Sequence, residues 1–176
     1  MKKINLFFVA ILIALSLNVN AQSAVDKIFD KYNGTAGFTS VTMNKYMFEM
    51  IARMDTTAQG REFSKAVSKL VSIRILAVDS TNNTTVNLYA EVMKVLPSKE
   101  YKELMTVKEN GTDLKFLVRE KGDIITELLL IAGGGKEENA LIIISGEIDL
   151  ASIGSIAKSM NIEGMEQLGK LKEQKK

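Results

Sequence analysis

The chain of 176 residues has no cysteine, no histidine, no tryptophan and a single proline. Without cysteine there is no disulfide framework, and no acylated cysteine to hold the chain on a lipid. Without cysteine and histidine, the usual zinc, haem and iron–sulfur ligand sets are excluded. Ser-His-Asp and Cys-His catalysis are excluded with them. The residue most often used as general acid or base near neutral pH is missing too. Catalysis would have to use carboxylates, Lys, Tyr or a Ser-Lys pair, so no cofactor and no catalytic residue is assigned.

A long apolar run is also missing. Leu6 to Leu15 is unbroken but shorter than the roughly 20 residues needed to cross ~30 Å of hydrocarbon. Lys2 and Lys3 precede it, and Val19-Asn20-Ala21 ends in a small residue. This is the pattern of a cleaved secretory leader. We therefore expect residues 1–21 to be a signal peptide cut after Ala21, and a periplasmic or otherwise exported protein. Residues 22–176 are expected to form one domain, long enough to bury a core, with a disordered basic tail at its end. No stable membrane anchor would remain.

Charge of one sign is lacking as well. The whole chain carries 23 Lys+Arg and 21 Asp+Glu, and the leader holds two of the lysines. The remainder is balanced, which argues against nucleic acid as a partner.

Within that domain, Phe38 to Thr42 alternates as a strand would. Met43, Met47, Met50 and Met54, with Tyr46 and Ile51, recur at helical spacing. Phe63, Ala66, Val67 and Leu70 suggest a second helix, and Val71 to Val78 a central strand. Val86, Tyr89, Met93 and Leu96 mark a helix ended by Pro97. From Tyr101 the period changes to two. Asn110-Gly111 and Lys121-Gly122-Asp123 read as turns between strands, and Ile124 to Ile131 and Ala140 to Ser145 follow. Asp149 is placed to cap a helix using Ile153, Ile156, Ala157 and Met160, and Asn161 a last one. The expectation is an α+β fold: an antiparallel meander sheet, helices packed on one face, and two helices at the C-terminus.

The methionine stripe carries three readings. Its helical period favours a packed core helix. A flexible apolar binding face built from Met43, Met47, Met50 and Met54 is the second. A soft-metal site is the third, because thioethers bind Cu(I); no metal site is assigned. Ser155 and Lys158 match S-x-x-K, but the companion elements of penicillin-recognising enzymes are absent. Gly133-Gly134-Gly135-Lys136 lacks the Ser or Thr of a phosphate loop and reads as a hairpin connection. Glu147 and Asp149 lack the oxygen-rich loop of a calcium site.

Asp55-Thr56-Thr57 and Asp79-Ser80-Thr81 resemble the short acceptor of the general O-glycosylation system of Bacteroidetes envelope proteins. That makes Thr56 and Ser80 candidate modification sites.

Gly37-Phe38-Thr39-Ser40-Val41 with the following Met-rich helix, Ser72-Ile73-Arg74-Ile75-Leu76, Tyr101-Lys102-Glu103-Leu104-Met105 and Ile144-Ser145-Gly146-Glu147-Ile148-Asp149-Leu150 are the segments that carry a wider likeness. The chain resembles a Bacteroidetes family of secreted proteins classified only as a domain of unknown function. The resemblance implies a small periplasmic domain, transfers no catalytic residue, and hints at envelope signalling through neighbouring sigma-factor and anti-sigma genes.

The leading functional expectation is a non-enzymatic periplasmic interaction or envelope-sensing module with an envelope protein as partner. One alternative is a carrier of a small apolar ligand in a pocket under the Met43–Met54 helix. Another is a hydrolase using carboxylates or the Ser155–Lys158 pair.

Overall fold

The computed structural model describes residues 23–54, 57–79, 86–109, 111–133 and 139–150. The leader, Thr56, Ser80, Ser155, Lys158, the tail and the expected C-terminal helices lie outside the described residues. The order is α1 (Ala24–Tyr32), β1 (Phe38–Asn44), α2 (Lys45–Met54), α3 (Ala58–Val67), β2 (Leu70–Val78), α4 (Leu88–Val95), β3 (Tyr101–Glu109), β4 (Thr112–Lys121), β5 (Ile124–Gly133) and β6 (Ala140–Ile148).

The strands form a six-stranded antiparallel sheet in the order β1-β2-β6-β5-β4-β3. The segment from Tyr101 onward is the expected four-strand meander. The sheet as a whole is not one, because β2 pairs with β6 and places the β1–β2 hairpin at the far end. Gly111 (φ 85°) and Gly122 (φ 63°) hold the left-handed positions in the two meander turns.

Helices lie on both faces, not one. The expectation failed because the central strands are apolar on both sides. From Glu127 to Gly133 every residue of β5 is buried. Such a strand needs cover above and below. On one face α1 and α4 cover Leu76, Leu117, Leu129, Ile131, Leu141 and Ile143. On the other, Phe48 of α2 and Val67 of α3 join Leu70, Phe116, Val118, Leu128, Leu130, Ile144 and Ile148.

The first helix was not expected from the sequence. Ser23 and Asp26 form a capping box: Ser23 Oγ accepts from the Asp26 amide at 3.1 Å, and Asp26 Oδ2 from the Ser23 amide at 3.2 Å. Val25, Ile28, Phe29 and Tyr32 then present one buried stripe. Tyr32 stacks on Phe38 with ring centroids 4.4 Å apart, and its hydroxyl donates to Glu91 of α4 at 2.7 Å. Lys31 pairs with the same carboxylate at 3.2 Å, so α1 and α4 are joined at their rims. The start of α4 is fixed by two asparagines. Asn87 caps it through the Ala90 amide, and Asn139 accepts from the Leu88 amide at 2.8 Å while donating to the Val86 carbonyl.

Candidate functional site

Helix α2 begins at Lys45 because Asn44 ends the strand and caps the helix, its Oδ1 accepting from the Met47 amide at 3.1 Å. Met43 therefore belongs to β1. It packs half-buried against the second core cluster. At about 100° per residue, Tyr46, Met50, Met54, Met47, Ile51 and Phe48 fall in that order around an apolar arc of about 200°. Lys45, Glu49 and Arg53 fill the opposite side.

Only one edge of that arc faces inward. Phe48 is 3% exposed and Ile51 is half-buried. Met47, Met50, Tyr46 and Met54 are 37%, 46%, 72% and 78% exposed. The expected core stripe is thus corrected. The helical period was right but its phase was not, because Phe48 and Ile51 take the buried side. Val41, on edge strand β1, is also exposed. The result is a flexible apolar surface on one end of the sheet, made mainly of thioethers.

A polar cluster interrupts the opposite, α1–α4 side. Glu127 is 3% exposed and is the single charge in the run Ile124 to Ile131. Glu127 keeps the alternation of Leu129 and Ile131 and lies opposite Arg119 of β4, which in turn lies opposite Tyr101 of β3. Its Oε1 accepts from the Tyr101 hydroxyl at 3.0 Å, and its Oε2 from the Arg119 guanidinium. Arg119 also lies over the Tyr101 ring at 5.6 Å and 3.9 Å from Glu100. Burial pushes the Glu127 carboxyl above its ordinary range, against the pull of Arg119 and Tyr101. Burial raises the Tyr101 phenol strongly, helped by the Glu127 charge.

A second pair, Asp26–Arg74, sits nearby, with Arg74 over the Phe29 ring at 5.2 Å. Burial raises the Asp26 carboxyl, but Arg74 and Ser23 outweigh it and hold it below its usual range. Each acid here is matched to a cation, Glu127 and Glu100 sharing Arg119, and Arg74 Nε is buried without a hydrogen-bond partner among the described residues. A shallow depression of about 400 Å³ adjoins it, lined by Lys99, Glu100, Lys102, Arg119, Glu120 and Gly122. Lys102 and Glu120 are paired across its wall.

The remaining sequence candidates fall apart in space. Glu147 pairs with Lys69, and Gly133 ends β5 at the hairpin connection to β6, as expected. No group of three or more acidic side chains able to hold a metal occurs among the described residues. Among them no helix is long and apolar enough to cross a membrane.

Residues 32–156 match the model of a family described as a domain of unknown function (DUF4252), and the chain belongs to that family. No curated protein and no solved structure matches the chain.

Proposed function

We propose that this member of an uncharacterised domain family is an exported, non-enzymatic interaction module, and that the Tyr46–Met47–Met50–Met54 side of α2 is its contact face for an envelope protein. One observation carries the reading: of the apolar arc of α2 only the Ile51–Phe48 edge is turned inward, and the wider remainder is exposed. Methionines suit such a face, since an unbranched thioether adapts to partners of differing shape. The leader pattern of residues 1–21 and the resemblance to Bacteroidetes secreted proteins support export to the periplasm. The satisfied ion pairs around Glu127 give no support to carboxylate catalysis.

A photo-reactive phenylalanine analogue in place of Met50 tests the reading in the native host, with one at exposed Lys27 on α1 as control. A covalent adduct of one defined heavier mass from position 50 alone is expected. Equal adducts from both positions, or none, overturn it. If position 50 captures a small apolar molecule instead of a protein, the carrier reading replaces it.

A further inference from the structure

The two edges of the sheet are built differently. Edge strand β3 carries Lys102, Glu103 and Lys108, and its ladder with β4 is broken by a register shift between Glu103 and Met105. Charges and bulges of this kind keep an edge from pairing with another chain. Edge strand β1 has neither. Phe38–Asn44 holds no charged residue and no proline, and its ladder with β2 runs from end to end in one register. It is also open to solvent: Thr39, Thr42 and Asn44 are exposed, and Val41 is 40% exposed.

The register says which backbone groups this edge offers. The Asp79 amide donates to the Gly37 carbonyl at 2.9 Å, just before the first pair of the ladder. Opposed residues of an antiparallel ladder alternate between hydrogen-bonded and non-hydrogen-bonded pairs. Thr39, Val41 and Met43 therefore turn their backbone groups to Ala77, Ile75 and Ile73 of β2. Ser40 and Thr42 turn theirs outward. Met43 packs in the second core cluster, so the side chains of Val41 and Thr39 stand on that same face.

These features make the edge complementary to itself. Two copies of β1 can run antiparallel about a two-fold axis at Val41. Ser40 then meets Thr42 of the second copy, and the two exchange both backbone hydrogen bonds. Thr39 stands opposite Met43, and Val41 opposite its own copy. No charge meets a like charge along the seam. The contact is isologous and closes on itself.

We infer that the protein pairs with a second copy of itself through β1, joining two sheets into one continuous antiparallel sheet centred on Val41. The pairing rests on the sheet edge, independently of any partner for α2.

The lack of native cysteine gives a direct test. In this register the two Val41 Cα atoms are about 4.5 Å apart and the two Thr39 Cα atoms about 14 Å apart. A disulfide closes only below about 7 Å. The protein purified from its native host is expected to sediment as a dimer at about 100 μM, a concentration suited to a small interface. Val41→Cys should yield a disulfide-linked dimer on oxidation, and Thr39→Cys, on the same face, should not. Thr42→Pro removes an outward amide and spares the ladder with β2, so it should sediment as a monomer with native circular dichroism. A monomeric wild type, no link at position 41, equal links at 39 and 41, a link from 41 to a different protein, or a natively folded Thr42→Pro variant that stays dimeric would overturn the pairing.

Discussion

Gly133 lies against Tyr89, so close that a side-chain carbon on the glycine would sit 2.4 Å from the tyrosine Cβ. The contact is where α4 crosses the end of β5. It joins the first core cluster to the meander and explains why a glycine ends a strand of otherwise large apolar residues. Gly133→Ala is expected to destabilise the fold by about 2 kcal/mol, since the neighbour is the inner part of a ring side chain and must move bodily. Urea denaturation measures this. A midpoint equal to wild type would show that α4 can lift from the sheet without cost.

Buried Glu127 and half-buried Asp26 on the α1–α4 side should respond to pH in opposite senses. The Glu127 carboxyl is raised in the folded protein, so the folded state binds the proton more tightly than the unfolded chain. Its contribution to stability is therefore full below the ordinary value of 4.5 and is lost as pH rises through the folded value. Asp26 is lowered, so its contribution is present above 3.8 and is lost as pH falls through its folded value. Urea midpoints from pH 3 to pH 8 for wild type, Glu127→Gln and Asp26→Asn check both signs. Wild type should lose stability relative to Glu127→Gln as pH climbs past 4.5, and gain it relative to Asp26→Asn over the range near 3.8.

At neutral pH, Asp26→Asn should cost about 2 kcal/mol. The Arg74 side chain is mostly buried, and losing its anion leaves a charge in an apolar setting against Phe29. Part of the Ser23 capping box is lost as well. A double-mutant cycle with Arg74→Met separates the two. If the pair dominates, the double variant should recover most of the loss.

On α2 the buried and exposed edges of one apolar arc should behave differently. Phe48→Ala is expected to cost about 3 kcal/mol, from lost transfer energy and the cavity left behind. Met50→Ala and Met54→Ala should stay within about 0.5 kcal/mol. Thermal melts of the three variants test this. A large loss from the methionine variants would place them in a core and remove the basis for a contact face.

Export and modification have direct mass signatures. The native mature protein should begin at Gln22, and Thr56 and Ser80 should carry O-glycans. N-terminal sequencing and intact mass decide both. Retention of Lys2 and Lys3, or a bare polypeptide mass, would exclude the respective proposal.

The local signals in this chain were strong enough to be read without a structure. The alternation after Tyr101 placed β3 to β6, and the Gly111 and Gly122 turns fixed their hairpins, because strand period and left-handed turns depend on neighbours in sequence. The first helix was equally local. Ser23 and Asp26 announce it with a capping box, and Val25, Ile28, Phe29 and Tyr32 repeat the helical period, although that signal is easily taken for a polar lead-in.

Three things were decided only by tertiary structure. Which side of α2 is buried depends on Phe48 meeting β1 and β2, and a 200° arc does not specify its own inner edge. The partner of β2 is β6, about seventy residues away, which no alternation pattern encodes. Glu127 faces Arg119 and Tyr101 because the pairing of β5 with β4 and of β4 with β3 sets the three residues side by side. A carboxylate in an apolar strand is visible in the sequence, but the cation that makes its burial tolerable comes from the neighbouring strand, and only the pairing of β4 with β5 brings it there.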